Sequence, residues 1–320
     1  GKIRVAVIGA GHLGEFHTQK YAAHPEVELV GVVDIIPDRV REVAERYQTV
    51  AYVDYHDILG SVDAVSLAVP TERHFDVGMH VLDAGVHLLI EKPITYDIHH
   101  ADMLIDVARK RGLVLQVGHV ERFNPAVVRM ESLARNPVFI ECQRLHLFTP
   151  RGTDVDVVLD LMIHDLDIVL HMVGAPVTEL NAVGMSVITG KTDIGNARLI
   201  FENGAVANLT ASRVSGTTVR KIRVFQPNEY LSADCLKREF TITPLKAPDT
   251  DADSRPFISS NKTKFTGSDP LADEINAFIT AVRAGTKPVV TGEDGRDALS
   301  AALAVIGLIN KGCTSFESLC

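Results

Sequence analysis

The chain has 320 residues, 46% of them apolar, which is enough for two domains of ordinary size. Lys and Arg number 32 against 41 Asp and Glu, a formal net charge of −9, and no basic stripe stands out; nucleic acid is therefore excluded as the main partner. No apolar run is long enough to span a bilayer, and the first residues lack the charged-then-apolar layout of a secretion leader. Cys142, Cys235, Cys313 and Cys320 are scattered without Cys-x-x-Cys spacing, so reduced thiols in the cytoplasm are expected.

Lys2 to Ile8 is a short β-branched apolar run, the pattern of a buried parallel strand. It breaks into Gly9-Ala10-Gly11-His12-Leu13-Gly14, and Glu15 to Ala23 continues at helical spacing. Strand, Gly-x-Gly-x-x-Gly turn and helix form a diphosphate site. Gly9 permits the turn, Gly11 lets the backbone approach the phosphate, and Gly14 lets helix and strand pack closely. The helix N-terminus adds N–H donors and a partial positive charge. The same glycines also serve βαβ units that bind nothing. Against that reading, the next strand, Val27 to Val33, ends in Asp34, 20 residues after Gly14. A carboxylate there suits both ribose hydroxyls and repels a 2′-phosphate, which favours NAD over NADP; Arg39 is the nearby residue able to soften that preference.

Alternation continues with a helix at Pro37 to Tyr47, a strand at Asp63 to Val69 and a helix at Glu72 to Ala84. A strand at Val86 to Ile90, a helix at Ile98 to Arg111 and a strand at Leu113 to Val117 follow. This predicts a doubly wound parallel sheet, with ligands at the strand C-termini, where Pro70-Thr71, Glu91-Lys92 and Gly118-His119 fall. From about Asn124 the pattern changes. Strand-like runs at Val138 to Phe148, Glu179 to Thr189, Asn196 to Phe201, Ala205 to Ser212, Arg220 to Phe225 and Glu239 to Thr243 predict an antiparallel sheet open on one face, with Asn203-Gly204 as a hairpin turn. Pro244 to Gly267 reads as a polar loop, and helices at Pro270 to Ala284 and Gly292 to Lys311 close the chain. The fold class is thus α/β. A Rossmann domain over 1–123 precedes an α/β domain over 124–320, whose last helices can pack back on the first.

Lys92 follows an apolar strand, where a solvated surface lysine is common; its place beside the predicted cofactor cleft favours chemistry. The predicted helix Val157 to Val173 is apolar nearly all round and should be buried, yet Asp160, His164, Asp167 and His171 recur at steps of four, three and four. Three readings stay open. The stripe is structural and hydrogen-bonded; or it holds a metal, although Asp160 to His171 spans about 16 Å, too far for one ion; or His164 is a general base charged by Asp160.

Taken together, Gly9-Ala10-Gly11-His12-Leu13-Gly14, Ala68-Val69-Pro70-Thr71 with His74, Glu91-Lys92-Pro93, Asp160-x-x-x-His164-Asp165 and the run Gly285-Thr286-Lys287-Pro288 to Gly292-Glu293-Asp294-Gly295 resemble the Gfo/Idh/MocA oxidoreductases. The resemblance covers essentially the whole chain. It implies a large, mostly antiparallel sheet that forms a homodimer or homotetramer, and catalysis by Lys92 and His164 with Asp160 assisting and no metal. It implies an NAD site formed by Gly9, Gly11, His12, Leu13 and Gly14, by Asp34, Ile35 and Arg39, and by Val69, Pro70, Thr71, His74, Glu91 and Lys92. Two departures, Asp154-Val155-Asp156 before the helix and Gly118-His119-Val120-Glu121-Arg122-Phe123-Asn124-Pro125, look most like a branch that oxidises the 3-hydroxyl of UDP-N-acetylglucosamine for lipid A-type glycolipids. A free cyclitol or simple sugar is the alternative substrate, and a non-catalytic nicotinamide-binding regulator the alternative class. A diphosphate needs Arg donors. Arg122, next to Phe123, and Arg151 in the loop before Asp160 are the candidates, Arg151 being preferred. Arg144 and His146 share a strand face.

Overall fold

In the computed structural model, which describes residues 1–149, 155–245 and 260–312, β1 (Ile3–Ile8) is buried along nearly its whole length, flanked by parallel neighbours on both sides. Its apolar β-branched residues suit that position. α1 (His12–Ala23), β2 (Val27–Val33), α2 (Pro37–Arg46), β3 (Val50–Tyr52), α3 (His56–Leu59), β4 (Ala64–Leu67), α4 (His74–Asp83), β5 (His87–Glu91), α5 (Ile98–Arg111) and β6 (Leu115–Gly118) follow. The strands order as β3-β2-β1-β4-β5-β6, all ladders parallel. The order reverses between β1 and β4, the crevice where doubly wound sheets bind ligands.

A second sheet is built from the rest. α6 (Pro125–Leu133) opens on the Asn124 side chain, which accepts the Ala126 N–H, with proline in the first turn. After β7 (Phe139–Leu145), a π turn at Val158–Met162 leads into α7 (Ile163–Val173), which ends at the left-handed Gly174. β8 (Val177–Met185), β9 (Ile194–Phe201), β10 (Val206–Ser212), β11 (Val219–Gln226), β12 (Glu229–Asp234), β13 (Glu239–Pro244) and β14 (Asn261–Lys264) complete it. The order is β14-β13-β12-β11-β7-β10-β9-β8. The β7–β10 ladder is parallel and the others are antiparallel. α6 packs on β12 and β13, and α7 on β7 and β10.

α8 (Pro270–Ala284) and the start of α9 (Gly292–Gly312) return to the first sheet: Ile275, Phe278 and Ile279 are buried among Val5, Val7 and Tyr21. The chain thus divides into one unit of Gly1–Val120 with Asp269–Leu299 and another of Glu121–Ser268 with Ser300–Cys320. Among the described residues, no helix is long and apolar enough to cross a membrane.

Hydropathy misses β3, α3, β12 and β14. β14 lies inside the stretch expected as a loop because its four residues, Asn-Lys-Thr-Lys, are all exposed at a sheet edge and carry no apolar signal. α1 begins at His12 rather than Glu15, directly after Gly11, so the glycine turn itself ends in the helix N-terminus.

Candidate active site

The glycine turn joins β1 to α1 at the crevice. Gly9 has φ +103°, and a Cβ there would lie 2.4 Å from the Ala68 carbonyl oxygen; a Cβ on Gly14 would lie 1.7 Å from the carbonyl oxygen of Gly9. Gly9 and Gly14 are therefore fixed by the chain's own packing, whereas a Cβ on Gly11 would meet no atom within 4 Å. Gly11 faces open space, as required of the position where a phosphate approaches. No side chain caps α1, which leaves its first N–H groups for an anion.

Asp34 ends β2 with its side chain almost buried. Its Oδ2 accepts the Ala10 N–H at 2.8 Å and its Oδ1 the Ile36 N–H at 2.9 Å, so one carboxylate ties the turns after β1 and β2 together. Arg39 Nη1 lies 3.3 Å from Oδ2. A cavity of about 330 Å³ beside them is lined by residues that include Ala10, Gly11, His12, Arg39 and Arg46. Leu13, Phe16 and Ile35 are exposed near this turn, Ile35 to 87%. Large apolar side chains left in water beside a polar hollow suit a flat aromatic base. These residues fit a dinucleotide.

At the next strand ends, Val69 and Thr71 are half-buried, Pro70 is exposed, and Thr71 opens a short 3₁₀ turn. His74 differs from its expected place in the cleft lining. It is 1% exposed, and its Nδ1 and Nε2 each lie 2.9 Å from a backbone oxygen, of Pro93 and Val69 respectively. Burial holds the imidazole below its usual range against the pull of those carbonyls. His74 braces the loops after β4 and β5 instead of facing a ligand. Lys92 is half-buried immediately after β5. The Glu91 carboxylate is turned inward to His17 Nε2 at 2.9 Å. Sequence reading missed His17 and its neighbour Glu274, because residues 17, 91 and 274 share no local spacing.

In the second unit the helical stripe is divided between two kinds of helix: Asp160 lies in the π turn, and His164, Asp167 and His171 follow at steps of three and four on α7. Asp160 and His164 are half-buried, Asp167 is buried and His171 is exposed. The buried carboxylate that matters most is Asp165, outside the stripe. Arg144 on β7 places Nη2 2.7 Å from Asp165 Oδ1, with Nε within 3.2 Å of both oxygens, and Nη1 2.8 Å from Glu121 Oε1. Burial lifts the Asp165 carboxyl above its ordinary range despite Arg144; Glu121 also meets a burial penalty, but Arg144, Arg220 and Asn124 hold it below. His146 takes the Arg220 Nε–H at 3.2 Å.

Arg122 is likewise not an open diphosphate donor. Its side chain is 2% exposed and sits 3.4 Å from Asp167 and 3.5 Å from Glu131. Phe123 is also buried. Here the structural reading of Asp167 prevails, for a buried guanidinium requires anions. Arg151 lies outside the described residues. Burial, with Asp167 adding to it and Arg122 opposing, pushes the Glu131 carboxyl up to about 7 from an ordinary 4.5. The folded state therefore holds a proton that the unfolded state releases between those values. That contribution is full below about pH 4.5 and is lost as pH rises through about 7. Glu131→Gln should flatten the decline between pH 5 and 8 by about 3 kcal/mol in urea titrations; an unchanged slope would exclude Glu131 as its source.

A doubly wound sheet with an uncapped glycine-turn helix at its switch point, an acid ending β2 and a lysine ending β5 describes an oxidoreductase that binds a nicotinamide dinucleotide. Residues 3–119 match the oxidoreductase family model with an NAD-binding Rossmann fold, and residues 127–226 the GFO/IDH/MocA C-terminal domain. The chain belongs to the Gfo/Idh/MocA oxidoreductase family. It is 41% identical over 304 residues to a UDP-N-acetylglucosamine 3-dehydrogenase of Acidithiobacillus ferrooxidans, covering 95% of this chain and 96% of that one. A solved structure of that organism's UDP-N-acetylglucosamine 3-dehydrogenase superposes with a TM-score of 0.91 at 40% identity, over 97% and 98% of the two chains. A myo-inositol 2-dehydrogenase of Thermotoga maritima is 28% identical over 93% of both chains.

Proposed function

We propose that this enzyme oxidises the 3-hydroxyl of UDP-N-acetylglucosamine to the 3-keto sugar, with NAD as hydride acceptor. The observation that carries the reading is near-full-length likeness to a relative named for that reaction. The presence of Lys92, Asp160 and His164 in this chain supports it. NAD, when bound, supplies the acceptor for the hydride leaving C3. His164 takes the hydroxyl proton, Asp160 charges and orients that imidazole, and the Lys92 ammonium stabilises the developing alkoxide. Arg151 is assigned to the diphosphate. The proposal places the enzyme in the cytoplasm, where the buried free thiols Cys142 and Cys235 stay reduced. It assembles as a dimer or tetramer through the β8–β14 sheet, on which Val183 and Met185 are exposed.

Incubation with NAD and UDP-N-acetylglucosamine should generate NADH absorbance. Turnover of myo-inositol but of no nucleotide sugar would instead select the cyclitol reading, which the 28% identical inositol relative favours. NAD binding with no turnover across both classes would leave a regulator. The preference for NAD over NADP is assigned to Asp34. Asp34→Asn removes the charge and keeps an acceptor oxygen for one of the two backbone N–H groups, of Ala10 and Ile36, that Asp34 holds. Its ratio of kcat/KM for NADP to that for NAD should rise at least about tenfold, roughly 1.4 kcal/mol; an unmoved ratio rejects that assignment.

A further inference from the structure

Beneath the end of β5, in the first unit, His17 of α1, Glu91 and Glu274 of α8 bring one ligand atom each within 4.8 Å of one another. His17 is 1% and Glu274 0% exposed. His17 Nε2 sits 2.9 Å from Glu91 Oε1, while neither carboxylate oxygen of Glu274 has a hydrogen-bond partner among the described residues. Space for the Glu91 carboxylate is made on the facing strand. Gly118 pairs with Glu91 across β5 and β6, and a Cβ there would lie 3.0 Å from the Glu91 carboxyl atoms. Any larger residue at 118 would push that carboxylate away from His17.

Two carboxylates this close and this dry do not both ionise. Burial and the neighbouring Glu91 charge hold Glu274 well above its usual range, so Glu274 keeps its proton. Burial opposes ionisation of Glu91 too, but His17 and then Lys92 outweigh it and hold that carboxyl below its usual range. Glu91 is thus the charged member, pinned by His17, and it is the residue bonded directly to Lys92.

We propose that His17 is a positioning residue for Lys92: through its hydrogen bond to Glu91 it fixes the end of β5 from which Lys92 projects. The inference rests on reading Lys92 as the group that meets the reacting oxygen. A lysine misplaced by about 1 Å can lose a hundredfold in rate. The motif around Gly9 places His17 on α1 but gives it no partner, and only the tertiary fold brings Glu91 to it.

The test is a double-mutant cycle on the full-length enzyme with NAD and UDP-N-acetylglucosamine. His17→Ala should lower kcat about tenfold to a hundredfold and leave the KM for NAD within about twofold. In a Lys92→Met background the same change should cost nothing further, because its route to the chemistry is already gone. His17→Gln, which retains a side-chain donor, should recover part of the loss and serves as the variant if His17→Ala does not fold. Additive losses in the cycle, or a lower melting temperature with kcat intact, would overturn the proposal and make His17 merely structural. A stoichiometric divalent metal in the purified protein, lost in Glu274→Gln, would also overturn it, since the three side chains would then hold a cation. If the wild-type enzyme turns over no sugar at all, the functional reading fails first and this inference with it.

Discussion

His164→Asn and Lys92→Met are each expected to lower kcat for sugar oxidation by two to four orders of magnitude, the usual scale for removing a positioned acid–base group. Oxidation of a secondary alcohol separates a proton from oxygen while hydride leaves carbon. Asparagine can hold a hydrogen bond at 164 but cannot take that proton. Methionine at 92 keeps the length of the side chain and removes the charge proposed to meet the alkoxide. His164 stands half-buried on α7 and Lys92 half-buried after β5, so neither replacement opens a core cavity. NAD binding, measured by fluorescence quenching or calorimetry, should be unchanged in His164→Asn, because the glycine turn and Asp34 belong to the other unit. A His164→Asn enzyme with kcat within threefold of wild type would remove histidine as the base. A Lys92→Met enzyme of full activity would do the same for lysine, and would deprive His17 of its proposed route.

The largest effect on stability is expected from Arg144→Met. The guanidinium, 3% exposed, bonds Asp165 through Nε and Nη2 and Glu121 through Nη1, and both carboxylates are themselves nearly or fully out of water. Removing only the cation leaves two buried anions without it, a loss of about 3–5 kcal/mol. Chemical denaturation should show the midpoint falling with an unchanged slope. Adding Asp165→Asn to Arg144→Met should recover part of the loss, since it discharges one stranded carboxylate. A double variant no more stable than Arg144→Met would mean that shape rather than charge sets the cost. Asp165 precedes Leu166 and follows His164 on α7, so the pairing also sets the rotation at which His164 is presented. Arg144→Met that is still folded should therefore lose turnover as well.

The sequence by itself determined the parts governed by local rules. A β-branched run, three glycines at fixed spacing and an acid 20 residues on are short-range signals, so the turn, the helix after it and Asp34 were legible, as was the parallel alternation to β6. The bounds of α5 and α8 followed from caps and glycines at their ends. Short edge strands were not legible: β3 is only three residues long and β14 is wholly polar, and each exists because a neighbouring strand offers it hydrogen bonds. What only the tertiary structure decided is where each charge goes. Helical spacing puts Asp160, His164, Asp167 and His171 on one face, but the fold gives them unlike surroundings: Asp167 is buried beside Arg122, Asp160 and His164 are half-buried, and His171 is exposed. Arg144 came from β7 to capture Asp165, and Arg122 was drawn to Asp167 and Glu131. His74 and His17 likewise took their partners, Pro93, Val69 and Glu91, from separate strand ends. A buried polar group must be paired by whatever the fold brings within about 3 Å, and that choice is made by residues distant in the chain.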